Sequence, residues 1–116
     1  PQVIIIATGS EVSVALAARE TLNSQGVQVQ VVSMPCIEWF DQQSQAYRDQ
    51  VLPPHITARV AVEAGATLGW YRFVGTSGEV VGLDHFGASA SAPVLFTEFG
   101  ITPAAVAAAA LKAIEN

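Results

Sequence analysis

Apolar residues in this chain fall in short runs, and stretches of helical spacing separate them. Val3-Ile4-Ile5-Ile6-Ala7 is apolar at every position, which predicts a strand covered on both faces, since a half-exposed strand would alternate. Thr8-Gly9-Ser10 breaks the run. Ser10 is a good N-cap, and Glu11 suits the positive end of the helix that follows. In that helix Val12, Ala15, Leu16 and Leu22 fall near one stripe. Asn23 to Gly26 should end it, because glycine takes the left-handed conformation of a helix stop without strain.

A second strand is predicted over residues 27–33, alternating Val and Gln before becoming apolar. Pro35 stops it. Residues 37–51 suggest one broken or two short helices, with Trp39, Phe40, Tyr47 and Val51 as core candidates, closed by Pro53-Pro54. A third strand spans 58–63 and turns at Ala64-Gly65. A short helix over 67–74 carries Trp70, Tyr71 and Phe73; a fourth strand covers about 79–83, and residues 93–99 suggest a helical turn. The last helix is sharply marked. Thr102 caps it, Pro103 takes the first helical position where its missing N–H is harmless, and an Ala-rich stretch follows. Strands alternating with helices in this way predict an α/β fold: a three-layer sandwich with a mostly parallel open sheet of about five strands and helices on both faces.

At 116 residues the chain is the size of one domain, residues 1–116. It starts without Met or a polar lead-in, which suggests a piece of a longer polypeptide. Half of the residues are apolar and 13% are charged, enough apolar material to offset the entropy of ordering the backbone. The net charge is −5 and the five basic residues are scattered along the sequence, unlike a binder of nucleic acid or of anionic membrane. The apolar run at 104–111 is far short of the ~20 residues of a bilayer span. A single cysteine, Cys36, cannot form an internal disulfide and suits a reducing compartment.

In open parallel sheets, ligands bind beyond the carboxyl ends of the strands. The first such position is Thr8, Gly9, Ser10 and Glu11, where backbone N–H groups at a helix start could hold an anion or nucleotide. It has one glycine rather than a dinucleotide fingerprint and no P-loop lysine, and Glu11 would repel an anion, so a plain helix cap is the simpler reading. Cys36 and His85 are the residues of nucleophile and base type. A catalytic thiol needs a cationic neighbour or a helix start to lower its pKa. Cys36, with Glu38 close behind, reads more simply as a buried, inert thiol, and His85, between Asp84 and Phe86, as a polar loop residue. Glu63 could be a general base, cap a helix, or pair with Arg59 or Arg72. Two histidines thirty residues apart and one cysteine lack metal-ligand spacing. Trp39-Phe40 and Trp70-Tyr71 suit a core or a protein interface.

Several segments, in order, resemble one family. They are Ile5-Ile6-Ala7-Thr8-Gly9-Ser10-Glu11-Val12; Val31-Val32-Ser33-Met34-Pro35-Cys36; Phe40-Asp41-Gln42-Gln43 with Tyr47-Arg48 and Val51-Leu52-Pro53; Arg59-Val60-Ala61-Val62-Glu63-Ala64-Gly65 with Gly69-Trp70-Tyr71; Gly82-Leu83-Asp84 with Phe86-Gly87-Ala88-Ser89-Ala90; and Phe99-Gly100-Ile101-Thr102. Together they resemble the C-terminal domain of transketolases, with Ser91 where that family commonly has proline. The resemblance implies a parent enzyme that is homodimeric and cytosolic. It would use thiamine diphosphate and Mg²⁺ or Ca²⁺ to move two-carbon ketol units between sugar phosphates of the pentose phosphate pathway. It also implies that this chain supports structure and subunit packing, with the parent's other domains and second subunit as partners. The Gly-Asp-Gly…Asn metal motif is absent from the sequence, so the resemblance brings no catalytic, cofactor-binding or metal-binding residue with it, and the chain alone is expected to be inactive. A regulatory anion- or nucleotide-binding module, the equivalent domain of a related thiamine enzyme, and a stand-alone enzyme using Cys36 or His85 are the alternatives.

Overall fold

A computed structural model of the chain describes residues 1–9, 11–63, 70–82 and 101–116, with the side chain of Tyr71 excepted. The expected Ser10 cap, the Ala64-Gly65 turn, the start of the 67–74 helix, the end of the fourth strand, His85 and its neighbours, Ser91 and the turn at 93–99 lie outside the described residues. Within them the order is β1 (Val3–Ala7), α1 (Glu11–Ser24), β2 (Val29–Ser33), α2 (Ile37–Asp41), α3 (Gln45–Val51), β3 (Arg59–Glu63), α4 (Tyr71–Val74), β4 (Glu79–Gly82) and α5 (Pro103–Glu115).

The four strands form one parallel sheet in the order β2-β1-β3-β4. About five strands were expected; the described residues contain four. β1 sits between β2 and β3, with Ile5 level with Val31 on one side and Val60 on the other. This central place accounts for its unbroken apolar run, as all five of its residues are buried. Their side chains alternate between two cores. Val3, Ile5 and Ala7 join Val60 and Val62 against α1 and α5. Ile4, Ile6 and Ala61 join Phe40, Leu52, Trp70 and Phe73 of the opposite layer. The result is a three-layer α/β sandwich.

Local signals are obeyed at several ends. Gly26 has φ +84°, and its N–H donates to the Asn23 carbonyl while that of Val27 donates to Leu22; these bonds close the end of α1 in the Schellman pattern. Thr102 accepts from the Ala105 N–H at the start of α5, next to Pro103. The 37–51 segment forms two short helices, each capped by its preceding residue: Cys36 accepts from the Trp39 N–H and Ser44 from that of Tyr47.

Three sequence expectations are corrected. The second strand begins at Val29 rather than residue 27, since Val27 is held in the helix stop. The buried face of α1 is Glu11, Val14, Ala15, Ala18 and Leu22, with Leu16 exposed and Val12 half-buried. Ala15 and Ala18 share a core with Ala107, Ala110 and Ala113 of α5; small side chains let the two helices approach closely, so this face is chosen by fit rather than by size. Trp39 and Tyr47 are not core residues: Trp39 is 54% exposed. Phe40 takes the inward direction of the short helix α2, and Trp39, one position earlier, points away and meets Tyr47 edge-on at 5.9 Å.

Candidate functional site

The carboxyl edge of the sheet brings Thr8, Gly9, Met34, Cys36 and Glu63 together. A depression of about 330 Å³ there is lined by Thr8, Met34, Cys36, Glu38, Glu63 and Trp70, among others. The Thr8 hydroxyl donates to Glu63 Oε2 at 2.8 Å, joining the ends of β1 and β3. Gly9, at φ +53°, lies beside the Glu11 carboxylate: a Cβ at Gly9 would stand 3.6 Å from Glu11 Oε2. Glu11 is only 5% exposed, and it is engaged in interactions of its own. Thus two carboxylates flank residues 8–9, and an anion placed there would meet their charge. Ser10, the remaining residue of that expected site, lies outside the described residues.

Glu63 is bonded to Thr8, while the two arginines expected as its partners are engaged elsewhere. Arg72 pairs with Asp41, and Arg59 donates to backbone carbonyls. Cys36, expected to be buried, is exposed. Its Sγ accepts the Trp39 N–H at 3.4 Å and lies 3.5 Å from Glu38 Oε2. The sulfur serves as the cap of α2. Among the described residues there is no group of three His, Cys, Asp or Glu placed to hold a metal ion. The carboxyl-edge depression therefore offers hydroxyl, thiol and carboxylate groups, among which Thr8 bonds to Glu63 and Cys36 to Glu38.

Sequence spacing missed a second site. At the amino ends of β3 and β4 a cleft of about 530 Å³ is lined by Arg48, Arg59 and Arg72, with Asp41 and Asp49. Three of the five basic residues meet there, though eleven and thirteen positions separate them along the chain. Arg59 is the most embedded in the fold. Its Nε donates to Ile56 O at 2.9 Å, Nη1 to Phe73 O at 2.8 Å, and Nη2 to Pro53 O and Leu52 O at 2.9 and 3.2 Å. One guanidinium thus ties the end of α3, the linker before β3 and the end of α4. Burial lowers its pKa from the ordinary arginine value, and the carbonyl dipoles around it favour the charged form. An arginine opening a strand could have drawn notice, but the carbonyls it meets come from residues 52–73.

The whole chain finds close counterparts. The family described as "Transketolase-like TK C-terminal domain" matches residues 1–102. A transketolase of Mycobacterium leprae is 53% identical over all 116 residues, which make up 17% of that protein. The chain belongs to the transketolase C-terminal-domain family. Among solved structures, a transketolase from Leishmania mexicana superposes with a TM-score of 0.87 at 43% identity, covering 98% of this chain and 16% of that one. A transketolase from Pichia stipitis, solved in complex with sedoheptulose 7-phosphate, gives 0.84 at 41% identity over 98% of this chain and 16% of its own. The chain thus spans about one sixth of the length of these transketolases.

Proposed function

We propose that this chain is the C-terminal domain of a transketolase and acts there by packing, with the transfer chemistry carried by other domains. The observation that carries the reading is one of proportion: the match takes in the entire chain yet only 17% of the M. leprae enzyme. Three features support it. The sequence has no Gly-Asp-Gly…Asn segment. The carboxyl-edge carboxylates and thiol bond internally. Trp39 and Tyr47 form an exposed aromatic pair of the kind enriched at protein interfaces. Among the described residues no helix is long and apolar enough to cross a membrane.

In this reading the parent enzyme is a cytoplasmic homodimer of the pentose phosphate pathway. Thiamine diphosphate and a divalent ion, bound on its other domains, supply the carbanion chemistry by which a two-carbon ketol unit passes between sugar phosphates. The sedoheptulose 7-phosphate in the Pichia structure fits that substrate class. The test is direct. The purified chain, given xylulose 5-phosphate, ribose 5-phosphate, thiamine diphosphate and Mg²⁺, should form no sedoheptulose 7-phosphate, and titration of thiamine diphosphate should give no heat. Turnover or stoichiometric cofactor binding by the chain alone would overturn the proposal.

A further inference from the structure

The arginine cleft at the amino ends of β3 and β4 is on the far edge of the sheet from the residues first expected to hold an anion. We infer that it binds a small phosphate-bearing anion, with Arg48 and Arg72 as the contacting residues and Arg59 supplying field from behind. The inference does not rest on the parent enzyme's activity.

Charge is the first ground. In a chain of net charge −5, this cleft gathers three guanidiniums against two carboxylates. Asp41 pairs with Arg72. Asp49 accepts from Gln45 Nε2 at 2.6 Å, and Gln45 Oε1 in turn accepts from Arg48 Nη2 at 3.0 Å. Arg48 is therefore held by a neutral amide and Arg59 by neutral carbonyls. Among the described residues neither has a carboxylate at ion-pair distance. A partly desolvated cation without a counter-ion is costly, and an anion entering the cleft relieves that cost.

The second ground is independent. Arg48 Nε is buried and has no hydrogen-bond partner among the described residues. A buried donor left unpaired is costly, so most find a partner, often a bound ion or water. The Nη groups of Arg48 and Arg72 carry further N–H donors, and guanidiniums of this kind match the oxygens of a phosphate. The cleft's size suits a small organic phosphate. Thr57, Thr76 and Ser77 also line it and offer hydroxyl groups.

The test follows the arginine side chains themselves. In ¹H–¹⁵N spectra the four Nε–Hε signals of Arg19, Arg48, Arg59 and Arg72 are observed while inorganic phosphate or glycerol 3-phosphate is added in a phosphate-free buffer, with acetate as control. The Arg48 and Arg72 signals should shift saturably with phosphate while that of Arg19 stays still. Arg48→Gln and Arg72→Gln should each weaken binding about tenfold or more, the effect of losing a charge-assisted hydrogen bond. Circular dichroism checks that each variant is folded. Tighter binding of glycerol 3-phosphate than of phosphate would support an organic ester as the occupant, and equal binding the free ion. Absence of saturation, equal shifts with acetate, or unchanged affinity in a folded Arg72→Gln protein would overturn the inference.

Discussion

At the scale of single residues, Arg59 and Gly78 are under the tightest constraint. Replacing Arg59 with Leu removes the donor from four backbone carbonyls at once. Because the site is only partly buried, water can reach some of the freed carbonyls, and a loss of about 2–3 kcal/mol is expected in urea unfolding. Gly78→Ala should be at least as damaging. A Cβ there would collide with the Val74 carbonyl and Cβ and lie 2.7 Å from the Arg59 carbonyl oxygen. Gly26→Ala is the control. It meets no neighbour within 4 Å and pays only for its left-handed backbone, about 1–2 kcal/mol. Thermal unfolding of the two glycine variants should therefore rank Gly78→Ala below Gly26→Ala. Gly26 could be read from the sequence, because a glycine after a helical stretch has one common use. The need for glycine at 78 could not, because it comes from Val74 and Arg59 on other elements. Likewise, the burial of Glu11, whose carboxylate lies beside Gly9, ran against the ordinary preference of a carboxylate for water.

At the scale of elements, the helix stop at Gly26 and the cap at Thr102 were legible, the caps at Cys36 and Ser44 were not, and helix faces were less so. Cap and stop signals act over a few residues. The inward face of a helix depends on what lies across from it. In α1 a stripe through Leu16 was as periodic as the stripe that is buried, and contact with the alanines of α5 chose between them. This makes a testable contrast. Ala110→Leu should overfill the α1–α5 contact and cost about 1–3 kcal/mol, whereas Ala108→Leu, on the exposed side of the same helix, should change stability little. Loss of the α5 cap in Thr102→Ala should cost about 1 kcal/mol. Denaturant midpoints of the three variants check all of these values.

At the scale of the whole molecule, the two tryptophans report on opposite surroundings. Trp70 is 4% exposed within the α2–α4 core, and Trp39 stands out in solvent beside Tyr47. Acrylamide quenching of the native chain should resolve an accessible and a protected component, and Trp39→Phe should remove the accessible one. If Trp39 lies in the packing surface proposed for the domain, the accessible component should also become protected when the chain is joined to the rest of a transketolase. A single, uniformly quenched population would contradict the placement of both residues.

The sequence by itself determined the alternation of strands and helices, the burial of β1, the helix ends at Gly26 and Thr102, and the resemblance to transketolases. Each of these is written in neighbouring residues or in ordered motifs, so no distant contact is needed to read them. Tertiary structure alone decided which face of α1 is inward, that Trp39 and Tyr47 are outside, and that Glu63 bonds to Thr8. It also brought Arg48, Arg59 and Arg72 to one cleft. Those outcomes depend on groups far apart in the chain, and the periodicity of one element carries no information about the element that packs against it.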